Sequence, residues 1–103
     1  MERRTFVFDL KPGTEQEYIR RHREIWPEML MMLQQAGIRN YSIWLWNTQV
    51  IGYYESEDLL KADAYKAQSR VQAKWSAYMR DILLPAVRDG TQLSPPECVF
   101  YME

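Results

Sequence analysis

Apolar and polar positions change period several times along this chain, and each change marks an element. Thr5-Phe6-Val7-Phe8-Asp9-Leu10 is dense in β-forming residues and stops at Lys11-Pro12-Gly13, a turn signal. Beyond Thr14 the spacing lengthens. Tyr18, His22, Ile25, Met29, Met32, Leu33 and Ala36 recur mainly in helical steps of three and four, which predicts an amphipathic helix. Thr14 followed by Glu17 predicts a capping box at its start. Pro27 should kink or interrupt it near Ile25-Trp26, because proline lacks a donor and crowds the preceding turn. Gly37 supplies the left-handed residue that closes it.

A strand period returns at Asn40–Trp46, and Asn47-Thr48 turns the chain so that Val50–Glu55 pairs back as a hairpin. Ser56 is the predicted cap of a helix from Asp58 to about Ala67. Another helix runs from Arg70 to about Leu84, with Val71, Trp75, Tyr78, Met79 and Ile82 on one face and Pro85 at its end. The polar connection Asp89 to Pro96 leads to a last strand, Glu97–Met102. The order is βαββαβ, with the second helical unit broken in two. That order predicts an α+β fold of the ferredoxin-like kind with an antiparallel sheet, in a single domain spanning 1–103.

The strands are apolar on both sides. Phe6, Phe8 and Leu10 alternate with Val7, and Tyr41, Ile43 and Leu45 alternate with Trp44 and Trp46. Helices cover only one face of such a sheet, so the other face calls for a second subunit, and a homodimer packed through its sheets is expected.

Charge and composition narrow the function. With 13 basic and 14 acidic residues the net charge is −1, which supplies no field for nucleic acid. Arg20, Arg21 and Arg23 stand among Glu15, Glu17, Glu24 and Glu28 and read as a solvated helix face. No apolar run approaches the ~20 residues of a membrane span, and the N-terminal residues lack a secretory apolar core. Cys98 is the single cysteine, so no internal disulfide forms; within Val99-Phe100-Tyr101 a buried, inert thiol is expected. A cytoplasmic protein is therefore expected. The Met29–Leu33 run reads as core filler with one end exposed. No phosphate loop, nucleophile elbow or metal-ligand spacing is present.

His22, the only histidine, lies four residues after Tyr18, so the two side chains meet on one helix face. Spacing alone favours a boundary histidine bonded to a backbone carbonyl over an acid–base group. A wider pattern shifts that balance. Tyr18-Ile19-Arg20-Arg21-His22 followed by Ile25-Trp26-Pro27-Glu28 resembles the signature of the L-rhamnose mutarotase family. Gly37, Asn40-Tyr41-Ser42-Ile43, Trp75 with Tyr78-Met79, and Val99-Phe100-Tyr101 extend the resemblance over nearly the whole chain. It implies a dimeric, ferredoxin-like protein of the dimeric α/β-barrel type, with a monosaccharide substrate and no metal or cofactor. It also implies His22 as proton donor, with Tyr18 and Tyr41 contacting the sugar. The family usually continues with a Trp-Trp pair on the last helix, whereas this chain has Trp75 followed by Ser76. Trp75 is then expected to stack on the sugar and Ser76 to line a pocket missing one aromatic wall. The alternatives are a cofactor-independent oxygenase of the same architecture and a non-catalytic dimeric ligand-binding module.

Overall fold

Three antiparallel strands form the floor of the molecule in the computed structural model, which describes residues 1–84 and 96–103 and the backbone of 87–88 and 91–92. They are β1 (Glu2–Asp9), β2 (Arg39–Trp46) and β3 (Gln49–Ser56), in the spatial order β1-β3-β2. Flanked on both sides, β3 alternates strictly: Val50, Gly52, Tyr54 and Ser56 are buried and the residues between them half-buried. The β2–β3 turn needs a left-handed residue and has Asn47 there, at φ 57°.

The interruption at Pro27 is complete and yields two helices, α1 (Glu15–Arg23) and α2 (Pro27–Gln35). Pro27 opens α2, where its missing N–H costs no hydrogen bond. The capping box does not form. Thr14 Oγ1 donates to the Lys11 carbonyl at 2.6 Å, and Glu17 turns instead to two arginines. Gly37, at φ 85°, closes α2 as expected. Its N–H donates to the Gln34 carbonyl and that of Ile38 to the Leu33 carbonyl, both at 3.0 Å.

Asp58, rather than Ser56, caps α3 (Leu59–Ala67) by accepting from the Lys61 N–H at 3.1 Å. Ser56 remains the buried last residue of β3. The next helix, α4 (Arg70–Met79), stops at Met79 rather than near Leu84 because β-type bonds claim the following residues. Lys11 N–H donates to the Ile82 carbonyl and Leu84 N–H to the Asp9 carbonyl, each at 2.9 Å, and Leu83 bridges Leu10.

A short ladder joins β4 (Val87–Arg88) to β5 (Thr91–Gln92). Pro85 and most of the connection from Asp89 to Pro96 lie outside the described residues. The expected last strand at 97–102 does not form among the described residues. Val99, Phe100 and Met102 are exposed, as is Cys98, against the expectation of a buried thiol. One contact ties the segment down: the Arg3 guanidinium lies 3.5 Å from the centre of the Tyr101 ring.

The helices cover one sheet face only. Leu10 and Val50 are fully buried there, among Met29, Met32, Tyr54, Met79 and Ile82. Met29 and Met32 enter this core while Leu30 and Met31 stay exposed, as the run predicts. The architecture is the ferredoxin-like α+β type that the element order predicts, with three of its four strands in the sheet among the described residues. On the opposite sheet face Val7, Trp44 and Trp46 are exposed.

Candidate functional site

Between the sheet and the helices lies a cavity of about 440 Å³, within the size range of small-molecule sites. All five residues singled out from sequence line it: Tyr18, His22, Tyr41, Trp75 and Ser76. Phe6 and Phe8 of β1 add aromatic walls, and Lys66, Gln72 and Ser76 contribute polar groups.

Tyr18 and His22, one turn apart on α1, pack ring on ring with centroids 4.2 Å apart and planes 31° apart. Trp75 of α4 meets the imidazole at a right angle, 5.4 Å away. Trp75 is in turn fixed by Trp26, perpendicular at 5.1 Å, and by Tyr78 at 5.7 Å. The Ile-Trp-Pro-Glu segment thus supports the site from behind.

Tyr41 arrives from β2 through a bulge. Arg39 faces Glu55 and Ser42 faces Tyr53, so Asn40 and Tyr41 together oppose Tyr54. Asn40 takes φ 50° to absorb the extra residue, and its side-chain amide donates to Glu55. The bulge leaves Tyr41 packed on Tyr54, with centroids 5.1 Å apart, and edge-on to Phe6 at 6.2 Å.

His22 Nδ1 lies 3.1 Å from the Tyr18 carbonyl oxygen. A carbonyl only accepts, so Nδ1 carries the proton and Nε2 is the free nitrogen. The boundary-histidine bond expected from spacing is therefore present, and it orients the ring toward the cavity chemistry. Burial depresses the His22 pKa, with the carbonyl bond opposing this in part, so the neutral ring prevails at neutral pH. Burial raises the pKa of Tyr18 and Tyr41 well above the ordinary tyrosine value, each with a smaller contribution from a neighbouring tyrosine. Both keep their protons and serve as hydrogen-bond donors.

Sequence reasoning missed two features. Arg21 is buried rather than solvated. It donates to Glu17, to the Tyr78 carbonyl at 2.7 Å and to both oxygens of Asp81, and its guanidinium lies 4.3 Å from the Tyr78 ring centre. Helical spacing of Gln72 and Ser76 could have signalled the second, a polar wall; nothing in the sequence marks Lys66. Among the described residues, no three His, Cys, Asp or Glu side chains converge as metal ligands would, and no helix is long and apolar enough to cross a membrane.

The site's relatives are close. A family model described as L-rhamnose mutarotase matches residues 3–102. An L-rhamnose mutarotase from Oceanobacillus iheyensis is 34% identical, with both chains covered in full. One from Lachnoclostridium phytofermentans is 42% identical over 81% of each chain. The crystal structure of an L-rhamnose mutarotase from Formosa agariphila superposes with a TM-score of 0.80 at 30% identity, covering 100% of both chains. Tetracenomycin F2 cyclase from Streptomyces glaucescens, a type-II polyketide cyclase, has a TM-score of 0.73 at 16% identity, covering 100% of this chain and 98% of its own, a likeness of fold alone.

Proposed function

This chain belongs to the L-rhamnose mutarotase family, and from that membership we infer that His22 is the acid–base group through which it turns over its sugar. The protein is an isomerase that interconverts the α and β anomers of a monosaccharide, L-rhamnose or a related aldose. The oxygenase and the non-catalytic module weighed on sequence are not favoured beside that membership.

The observation that carries the role of His22 is its tethered ring in the cavity, with Nδ1 bonded to the Tyr18 carbonyl and Nε2 without a hydrogen bond among the described residues. Anomers exchange through the open-chain aldehyde. Neutral His22 takes the proton of the anomeric hydroxyl as the bond between anomeric carbon and ring oxygen breaks. The imidazolium then returns that proton to the ring oxygen, and rotation of the aldehyde before reclosure gives the other anomer. Tyr18 and Tyr41, held as phenols, steady the charge that develops on oxygen by donating hydrogen bonds. Trp75 offers its face to the C–H side of the sugar, and Ser76 leaves the pocket open where a second indole would close it.

Saturation-transfer proton NMR at anomeric equilibrium tests this with L-rhamnose. His22→Gln, shown to be folded by its melting transition, should lose about 10²–10⁴-fold in exchange rate. Full exchange in that variant would remove His22 from the mechanism.

The same reading assembles the chain as a homodimer through the sheet face opposite the helices. Exposed Val7, Trp44 and Trp46 on that face support it. The cytoplasm is the proposed compartment, on the strength of a single cysteine in the sequence.

A further inference from the structure

Three polar residues of the cavity wall have a chemistry that anomer exchange at His22 does not use. They are Lys66, from the last turn of α3, and Gln72 and Ser76, one turn apart on α4. Gln72 Nε2 donates to Ser76 Oγ at 3.0 Å. This bond leaves the second amide hydrogen, the amide oxygen and the serine hydroxyl hydrogen available to a ligand.

Among the described residues, Lys66 is the only lysine or arginine lining the cavity, and no Asp or Glu lines it. Its ammonium lies 5.4 Å from the centre of the Tyr54 ring and forms no ion pair among the described residues. Asp63, the nearest acidic residue along the chain, is held by Arg4. The surrounding sequence has the same sign. From Ala64 to Arg80 it contains Lys66, Arg70, Lys74 and Arg80 without one acidic residue, although the chain as a whole has a net charge of −1. The first turn of α4, which holds Gln72, also lacks an acidic residue, so no negative side chain on that turn offsets the positive end of the helix dipole. A neutral sugar filling this cavity would strip water from the ammonium and return no counter-charge. An anionic substituent would supply one.

Building on the mutarotase reading, we propose that Lys66, Gln72 and Ser76 form a subsite for an anionic group on the sugar, so that the preferred substrates are acidic monosaccharides. A carboxylate in place of the terminal methyl and a phosphate ester on the terminal hydroxyl share the required chemistry. Lys66 acts by charge, and the Gln72–Ser76 pair by hydrogen bonds to the same oxygens.

The test is anomeric exchange across matched sugars. L-rhamnose, L-mannose and L-mannuronate differ only in a methyl, hydroxymethyl or carboxylate group at one carbon, and L-mannose phosphorylated on its primary hydroxyl completes the set. The corresponding L-galactose series guards against a different ring configuration. The readout is the ratio of kcat/KM for each acidic sugar to that for its deoxy counterpart. We expect a ratio well above one that falls about tenfold in Lys66→Met and largely recovers in Lys66→Arg. Gln72→Leu should lower the same ratio, which keeps the test valid if Lys66→Met is poorly folded. Whichever acidic sugar shows the larger ratio identifies the anion. Exchange confined to neutral sugars, or a ratio that Lys66→Met leaves unchanged, overturns the subsite while the mutarotase stands. Exchange with none of the sugars overturns both.

Discussion

At Gly52 the backbone of β3 passes beneath the Phe6 ring, and a Cβ there would overlap it. Phe6 is stacked on Phe8 at 5.6 Å and meets Tyr41 edge-on, so it has little room to move without disturbing the cavity wall. Gly52→Ala should therefore cost about 1–3 kcal/mol, the usual range for forcing a methyl into a packed core. Thermal melting would show this as a fall of roughly 4–8 °C per kcal/mol in a domain of this size. Sugar exchange should weaken mainly through KM, because the wall shifts and the acid–base group does not. His22 gives the second expectation at this scale. Burial holds its pKa below the ordinary value, and its work as a base needs the neutral ring. Exchange should be constant above pH ~6.5 and fall only as pH drops through the depressed value. An acid limb centred above pH ~6.5 would contradict a buried neutral imidazole. Stability shifts in the same sense: the unfolded chain takes up the proton first, so this contribution is full above pH ~6.5 and shrinks below it.

Arg21 joins two elements that the site depends on. From α1 it reaches the C-terminal end of α4, so the helix bearing Tyr18 and His22 is tied to the helix bearing Trp75. Its hydrogen bond to the Tyr78 carbonyl is of the charged kind that contributes about 1.5–3 kcal/mol, and Arg21→Met should lose about that much. The arginines hold Glu17 at a pKa of about 2, and Arg21 holds Asp81 below the ordinary aspartate value. Carboxylates depressed in the fold stabilise it fully above their unfolded values near ~4 and lose that contribution as pH falls toward the folded ones. The gap in melting temperature between wild type and Arg21→Met should therefore narrow between pH 6 and pH 2; a constant gap would mean that Arg21 acts through packing and the Tyr78 carbonyl and not through the two carboxylates. Arg21 also marks the limit of what local pattern can reveal. Strands, helix breaks and the Tyr18–His22 pair follow from period, proline and glycine, all local signals. The partners that bury Arg21, Tyr78 and Asp81, lie 57 and 60 residues away, so three arginines among glutamates look alike until the chain folds. The early end of α4 was hidden for the same reason, since bonds from Asp9 and Lys11 decide it. Tyr41 and Trp75 were reached through resemblance, because on periodicity alone each is an ordinary core aromatic.

Across the whole molecule, the two sheet faces are built for different neighbours. Register puts Val7 and Trp44 on either side of Ile51, giving an apolar row across the outer face with Trp46 beside it. At one end Arg3 and Arg39 flank Glu55 across the three strands, a charged border next to an apolar centre. An apolar centre with a charged border is what the proposed dimer interface requires, since buried tryptophans contribute most of the binding energy of such interfaces and the rim sets register. The same face, mirrored in a second copy, would also shelter exposed Val99, Phe100 and Met102 if the C-terminal segment packs at its margin. The wild type should sediment as a dimer at micromolar concentration. Removing a central interface tryptophan typically costs about 2 kcal/mol or more, so Trp44→Lys with Trp46→Lys should weaken association by at least about 10³-fold. Sedimentation velocity would then show a monomer. A wild type that sediments as a monomer, or a double variant that stays dimeric, would rule out this face as the interface. The double variant also separates assembly from catalysis. A folded monomer that retains anomeric exchange would show that one chain suffices for the site, whereas loss of exchange on dissociation would show that the partner completes it.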